Sequence, residues 1–203
     1  MKRFLSKTAE MGIRLDPAQE ERIIRFERLL RERAIPAGLV AASDADRLFE
    51  RHLLDSLRPA LLFSETDHLA YDLGSGAGLP GVPLAIALPR CRFTLAESKS
   101  KRSAFLELAV ERLSLENVVV HAEGAESLSG RADVITARAF APLARTWPLA
   151  ARLLRVGGRL IYFAGEALRD PGRTARHVPG PPRRVRVERV LESSTPLVMM
   201  TLE

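Results

Sequence analysis

Ile23, Phe26 and Leu30 recur at intervals of three and four with charged residues between them, a spacing that predicts an amphipathic helix. Asp16-Pro17-Ala18-Gln19 reads as its start. Asp16 caps the first turn, Pro17 suits it, and Gln19 reaches back to the cap. After Ser43, the residues Phe49, Leu53 and Leu57 line one face of a second helix, with Asp44 and Asp46 near its positive end. Residues 1–66 are therefore expected to form an α-helical cap.

From Leu69 the pattern changes to short apolar runs alternating with amphipathic ones. Leu69–Leu73, Arg92–Ala96, Asn117–His121, Ala132–Ala137 and Arg159–Phe163 read as strands. Val82–Leu88, Lys99–Leu113 and Pro142–Leu154 read as helices between them, the last ended by Gly157-Gly158. Such alternation predicts an α/β fold, a mostly parallel sheet with helices on both faces. The segment Asp170–Pro182 is rich in proline, glycine and arginine and is expected as an exposed loop. Arg183–Val190 and Pro196–Leu202 are expected to close the sheet as an antiparallel hairpin. Residues 67–203 thus form the second unit, packed with the cap as one compact body.

Composition narrows the chemistry. With 203 residues and 46% hydrophobic content the chain can bury a sizeable core. No apolar run approaches the roughly 20 residues of a membrane span. Met1-Lys2-Arg3-Phe4-Leu5 has the charge of a signal peptide's opening without its apolar stretch, so a cytoplasmic monomer away from membranes is expected. Cys91 is the only cysteine, which excludes an internal disulfide, and the four histidines show no metal-box spacing. A net charge of +6 makes a polyanion such as nucleic acid a reasonable partner.

The stretch Tyr71-Asp72-Leu73-Gly74-Ser75-Gly76-Ala77-Gly78-Leu79-Pro80-Gly81 joins the first strand to the next helix. Glycines suit a sharp turn that a ligand must approach closely. Two templates overlap on it. Gly76 to Gly81 matches the dinucleotide fingerprint G-x-G-x-x-G. Asp72 with Gly74-Ser75-Gly76-Ala77-Gly78 matches the acidic-x-G-x-G-x-G loop of methyltransferases and is favoured, because Pro80 and Pro83 make a poor helix start for a diphosphate. Asp72 is expected to accept a hydrogen bond or to balance a ligand ammonium. Glu97 ends the second strand, where an acidic residue holds ribose hydroxyls, and Ala125-Glu126 follow the third, where adenine contacts are placed.

Three longer matches go further: Glu50-Arg51-His52-Leu53-Leu54-Asp55-Ser56-Leu57, the run from Asp72 through Pro83, and Asp133-Val134-Ile135-Thr136-Ala137-Arg138-Ala139-Phe140-Ala141. Together they resemble the small-subunit ribosomal RNA guanine-N7 methyltransferases, also called glucose-inhibited division protein B, over roughly residues 20–165. The resemblance implies a Rossmann-like class I methyltransferase with S-adenosylmethionine as cofactor and small-subunit ribosomal RNA, or the ribosomal subunit, as partner. It implies cofactor contacts at Gly74, Leu79, Glu97, Ala125, Glu126 and Arg138, beside the loop residues Asp72, Ser75, Gly76 and Gly78 already expected to hold the cofactor. Arg138 would stand near both cofactor and substrate, and His52 would shape the active-site wall. The chain departs from the family pattern at Gly38-Leu39-Val40, at Gly124, at Ala164 where a lysine is frequent, and around Pro196 and Thr201. A small-molecule methyltransferase, a nicotinamide oxidoreductase and a non-catalytic binder stay open as alternatives.

N7 of guanine carries a lone pair and no proton, so its methylation needs positioning rather than a general base. RNA would be held through phosphates. Lys99, Lys101 and Arg102 at one helix start are candidates, as are Arg169, Arg173, Arg176, Arg183, Arg184 and Arg186 in the later segment.

Overall fold

A computed structural model describes residues 2–165, 170–190 and 195–203. Helix α1 (Lys2–Glu10) precedes α2 (Pro17–Leu29). The start of α2 is the expected one. Asp16 accepts from the Gln19 backbone at 2.8 Å and the Gln19 side chain accepts from the Asp16 backbone at 2.8 Å. The same Gln19 amide donates to the Ile86 carbonyl at 2.9 Å and ties the helix to the sheet domain.

The helix expected after Ser43 is instead a run of short pieces: a 3-10 turn (Ala42–Arg47), a π-helical segment (Leu48–Leu53), α3 (Leu54–Leu57) and a second 3-10 turn (Arg58–Leu62). Packing explains the widened turn. Leu48 and Leu53 are both buried, yet five residues of regular α-helix would separate them by about 140°. The π segment brings both to the core and places His52 against the sheet domain.

The sheet has seven strands in the order β3-β2-β1-β4-β5-β7-β6. They are β1 (Leu69–Leu73), β2 (Arg92–Ala96), β3 (Val118–His121), β4 (Ala132–Ala137), β5 (Leu154–Phe163), β6 (Arg183–Glu188) and β7 (Leu197–Leu202). The first five run parallel, while β7 is antiparallel to both β5 and β6. Helices α4 (Gly81–Ala87), α5 (Ser100–Leu113) and α6 (Leu143–Leu153) cover the faces. One core joins Ile23, Phe26, Leu30 and Leu53 of the N-terminal helices to Val82, Phe93, Phe105 and Leu106. The other gathers Leu73, Ile135, Trp147, Leu160 and Met200. The chain steps outward from β1 through β2 to β3 and then returns to β4 on the other side of β1. Ligands of open α/β sheets bind at such a reversal, beyond the carboxyl ends of the strands.

Two expectations need correction. Gly157-Gly158 does not stop α6. Strand β5 begins at Leu154, directly after the helix, and the glycines lie within it. A Cβ on Gly158 would fall 2.8 to 3.2 Å from three carbonyl oxygens of Arg155, Ala132 and Asp133, so close backbone packing demands the glycine. The loop expected at Asp170–Pro182 contains helix α7 (Pro171–His177), capped by the Asp170 side chain on the Arg173 backbone at 2.9 Å. Among the described residues no helix is long and apolar enough to cross a membrane.

Candidate active site and its relatives

The carboxyl ends of β1, β2 and β4 bound a cleft of about 370 Å³, lined by Gly74, Ala96, Glu97, Gly124, Ala125, Glu126 and Phe140 among others. Its geometry starts at Asp72. That carboxyl group is fully buried and accepts from the Thr136 hydroxyl at 2.7 Å and from the Gly81 backbone at 3.1 Å. It thereby fastens β1 to β4 and to the start of α4. Burial pushes its pKa up to about 6, against the pull of the hydrogen bonds from Thr136, Ser75 and Gly81. Asp72 is not among the residues lining these two clefts, and its hydrogen bonds hold the loop.

The loop residues divide in the same way. Gly74 takes φ +67°, and a Cβ there would fall 2.6 Å from the Phe140 ring, which also lines the cleft. Gly76, at φ +59°, donates its backbone N–H to Glu97 at 3.0 Å. Ser75 is buried and donates its hydroxyl to the Asp72 carbonyl at 3.0 Å. Gly78 and Leu79 turn into the core. A Cβ on Gly78 would meet Val82 at 2.7 Å and Phe26 of α2 at 3.2 Å. Ser75, Gly78 and Leu79, expected as contacts, are not among the residues lining the cleft. Glu97 is almost wholly buried, and its two oxygens accept from the Gly76 and Lys99 backbones at 3.0 and 2.9 Å. A carboxylate has about four acceptor positions, so it can still receive a diol.

Arg138 stands beyond the end of β4 and lines a second cleft of about 540 Å³ with Asp55, Ala139, Tyr162, Phe163 and Ala164 among others. Its guanidinium donates to His52 Nδ1 at 2.8 Å, to Ser56 at 3.2 Å and to Asp55 at 3.3 Å. His52 Nε2 is 2.9 Å from the Asp44 carboxylate. Because Arg138 can only donate, Nδ1 must accept, and the ring proton resides on Nε2, facing Asp44. Burial and the neighbouring Arg138 charge lower the His52 pKa, while Asp44 opposes them, so the ring is held neutral. Asp44 itself is lowered despite its burial by His52, Arg51 and Arg47. Asp55 also pairs with Arg58, which is fully buried, and both Arg58 and Arg138 lie over the Phe163 ring at 5.7 and 5.9 Å. Burial lowers the pKa of both guanidiniums, an effect that Asp55 counters.

The two clefts share Ala139, a non-glycine residue at φ +52°. That left-handed turn sends Arg138 to one cleft and Phe140 to the other. Sequence reasoning missed Phe140, Asp44 and Asp55 as site residues, although all three fall in or beside the family-like motifs. Ala164, the departure from lysine, is buried in the wall of the second cleft, and Gly124, another departure from the family pattern, lines the first.

The basic residues sort by structure. Lys99 and Arg102 line the first cleft, with Arg102 3.6 Å from Glu97. Arg183 donates to the carbonyls of Ala175, Arg176 and Val178 and lies over Trp147, so it holds α7 in place. Arg186 is 3.2 Å from Glu188, and Arg184 is 3.9 Å from Glu203. Arg169 lies outside the described residues. Arg173 lines a third, shallow cleft with His177, and this cleft shares Ala144 and Thr174 with the second.

Residues 19–179 match the family model described as rRNA small subunit methyltransferase G. The chain belongs to this family. The Ribosomal RNA small subunit methyltransferase G of Roseiflexus castenholzii is 38% identical over 84% of this chain and 75% of its own length. The protein of the same name from Neisseria meningitidis serogroup B is 38% identical over 70% of this chain and 69% of its own. Among solved structures, M. jannaschii TYW2 in complex with AdoMet superposes with a TM-score of 0.57 at 14% identity, covering 75% of each chain. A putative O-methyltransferase from Klebsiella pneumoniae gives 0.56 at 15%, covering 94% of this chain and 92% of the other. The fold is thus that of the Rossmann-like class I methyltransferases, and the enzyme is an S-adenosylmethionine-dependent methyltransferase. Family membership overturns the nicotinamide alternative. The first cleft fits the cofactor: Glu97 suits ribose hydroxyls, Ala96 and Ala125 give small flat walls, and only a glycine at 74 fits beneath Phe140.

Proposed function

We propose that this chain methylates N7 of a guanine in small-subunit ribosomal RNA, working as a monomer in the cytoplasm. The observation that carries the reading is the meeting of two clefts at Ala139, one suited to the cofactor and one walled by Arg138, Tyr162 and Phe163. Bound S-adenosylmethionine supplies a sulfonium methyl: the N7 lone pair forms the new N–C bond, the C–S pair stays on sulfur, and the positive charge passes to the base. No proton has to leave N7. The ionisable groups of the second cleft and the residues that hold them suit that requirement, because each is already tied. His52 bridges Arg138 and Asp44, Asp55 is shared by two arginines, and the Tyr162 hydroxyl donates to the Ala141 carbonyl at 3.1 Å. These residues orient the base and exclude water; alignment of the reacting atoms is their contribution to rate.

Glu97, the Gly74–Gly76 backbone, Ala125 and Glu126 are proposed to hold the cofactor, with Arg138 between it and the base. The target guanine must be unpaired or turned out to enter the cleft. The shared residues Ala144 and Thr174 support an RNA path along α7, with Arg173 and Arg176 on phosphates. The cap of residues 1–66 and the domain of residues 67–203 act as one unit, a reading supported by their common core. Purified protein, S-adenosylmethionine and small-subunit RNA are the test. Digestion of the product should release 7-methylguanosine; a methyl group on another atom, or on a small molecule only, overturns the reading.

A further inference from the structure

Asp55 is the only acidic side chain among the described residues lining the second cleft. Its side chain keeps 26% of its surface exposed although Arg58 and Arg138 flank it. Structural ion pairs explain why a carboxylate sits there, but two guanidinium contacts leave acceptor positions unused, and the exposed part belongs to a cleft wall. Next to it, 3.3 Å away, Arg138 offers only donors. The wall therefore presents a donor and an acceptor side by side. Guanine carries the complement on its Watson–Crick edge: O6 accepts, and the adjoining N1–H and N2–H donate. N1–H and N2–H lie away from N7, so reading them leaves N7 free. Adenine carries a donor at N6 and an acceptor at N1, the reverse order, and leaves nothing to donate from C2.

Resting on the guanine-N7 reading, we propose that Asp55 is the specificity residue that recognises guanine by accepting from N1–H and N2–H, with Arg138 donating to O6. Enzymes that draw a base out of a stack read it through this edge. The carboxylate acts only as an acceptor and takes no proton from the base. Methylation at N7 makes the base cationic and its N1–H more acidic, so the attraction to the carboxylate strengthens during transfer.

The test compares wild type with Asp55→Asn on small-subunit RNA carrying guanosine or inosine at the methylated position. Inosine keeps O6, N1–H and N7 and lacks only the N2 amine. Wild type is expected to prefer guanosine by about tenfold in kcat/KM. In Asp55→Asn the guanosine rate should fall and the preference should shrink towards one. Equal loss on both RNAs, with the preference intact, overturns the role and leaves Asp55 as a support for Arg58 and Arg138. Absence of preference in wild type overturns it without any variant. Should Asp55→Asn fail to fold because Arg58 is orphaned, the pair Asp55→Asn with Arg58→Met removes that buried charge and gives the same comparison. Failure of wild type to methylate guanosine at N7 at all is a different result, since it overturns the underlying reading together with this one.

Discussion

The two clefts are built by different means. The first is made from consecutive residues at the ends of neighbouring strands, with backbone N–H groups of Gly76 and Lys99 fixing Glu97. The second is made from side chains far apart in the chain: Asp55 comes from the helical cap, Arg138 from the end of β4 and Tyr162 from β5, and Arg138 is held in turn by His52 and, through it, Asp44 of the cap. A backbone-built site depends on local turns and survives most side-chain changes. A site built from distant side chains depends on the cap staying docked, so its substitutions should disturb catalysis and stability together.

The largest effect is expected at Arg138. Arg138→Ala should lower turnover by about a hundredfold, the usual consequence of misplacing a reacting partner. It should also cost about 2 kcal/mol of stability, because three charge-assisted hydrogen bonds to the cap vanish. Steady-state kinetics and thermal melts check both, and S-adenosylmethionine affinity should hardly change. Normal turnover with a lowered melting temperature would make Arg138 a structural tie only.

At Glu97 the pattern should reverse. Glu97→Gln should weaken cofactor binding about tenfold in calorimetry, through loss of one charged acceptor, with kcat nearly preserved. A matching loss of kcat without a change in affinity would move Glu97 out of the cofactor site.

How much of the molecule is legible in its sequence follows the same division. The strands β1, β2 and β4 and the cap of α2 are readable, since each depends on a few adjacent residues. Gly74, Glu97, Ala125 and Glu126 are readable as cleft residues because they follow strands directly. The packing of Gly78 is not legible, because two of the side chains a Cβ there would meet, Phe26 and Leu106, are distant in the chain. Helix α7 is hidden by its composition, Pro-Gly-Arg-Thr-Ala-Arg-His, which buries only a few small residues and shows no apolar stripe. The spacing of His52 and Asp55 places them on neighbouring turns but says nothing of Arg138, with which both pair.

A smaller effect should appear with pH. The pKa of His52 is lowered in the folded protein, so the network contributes stability above the ordinary value of 6.5 and loses it as pH falls through the lowered one. Asp72, raised to about 6, acts with the opposite sign: its contribution is present below 3.8 and is lost as pH rises through about 6. The difference between wild type and His52→Gln therefore carries the test. Melts from about pH 8 to about pH 5 should show the advantage of wild type shrinking with acidification; a constant gap would contradict a neutral, doubly bonded His52.

The smallest effect concerns the RNA path. Arg173→Ser with Arg176→Ser should reduce the slope of log affinity against log salt by about 0.7 for each phosphate no longer neutralised, as filter binding reads it. Arg183→Ser should instead lower stability, because Arg183 caps α7 and covers Trp147.

The central claim concerns both clefts at once, and mass spectrometry of small-subunit RNA nucleosides tests it most directly. RNA from cells carrying this gene should contain one 7-methylguanosine that is missing when the gene is deleted. Wild type should restore it and Arg138→Ala should not. An identical nucleoside content with and without the gene, or restoration by Arg138→Ala, would contradict the account.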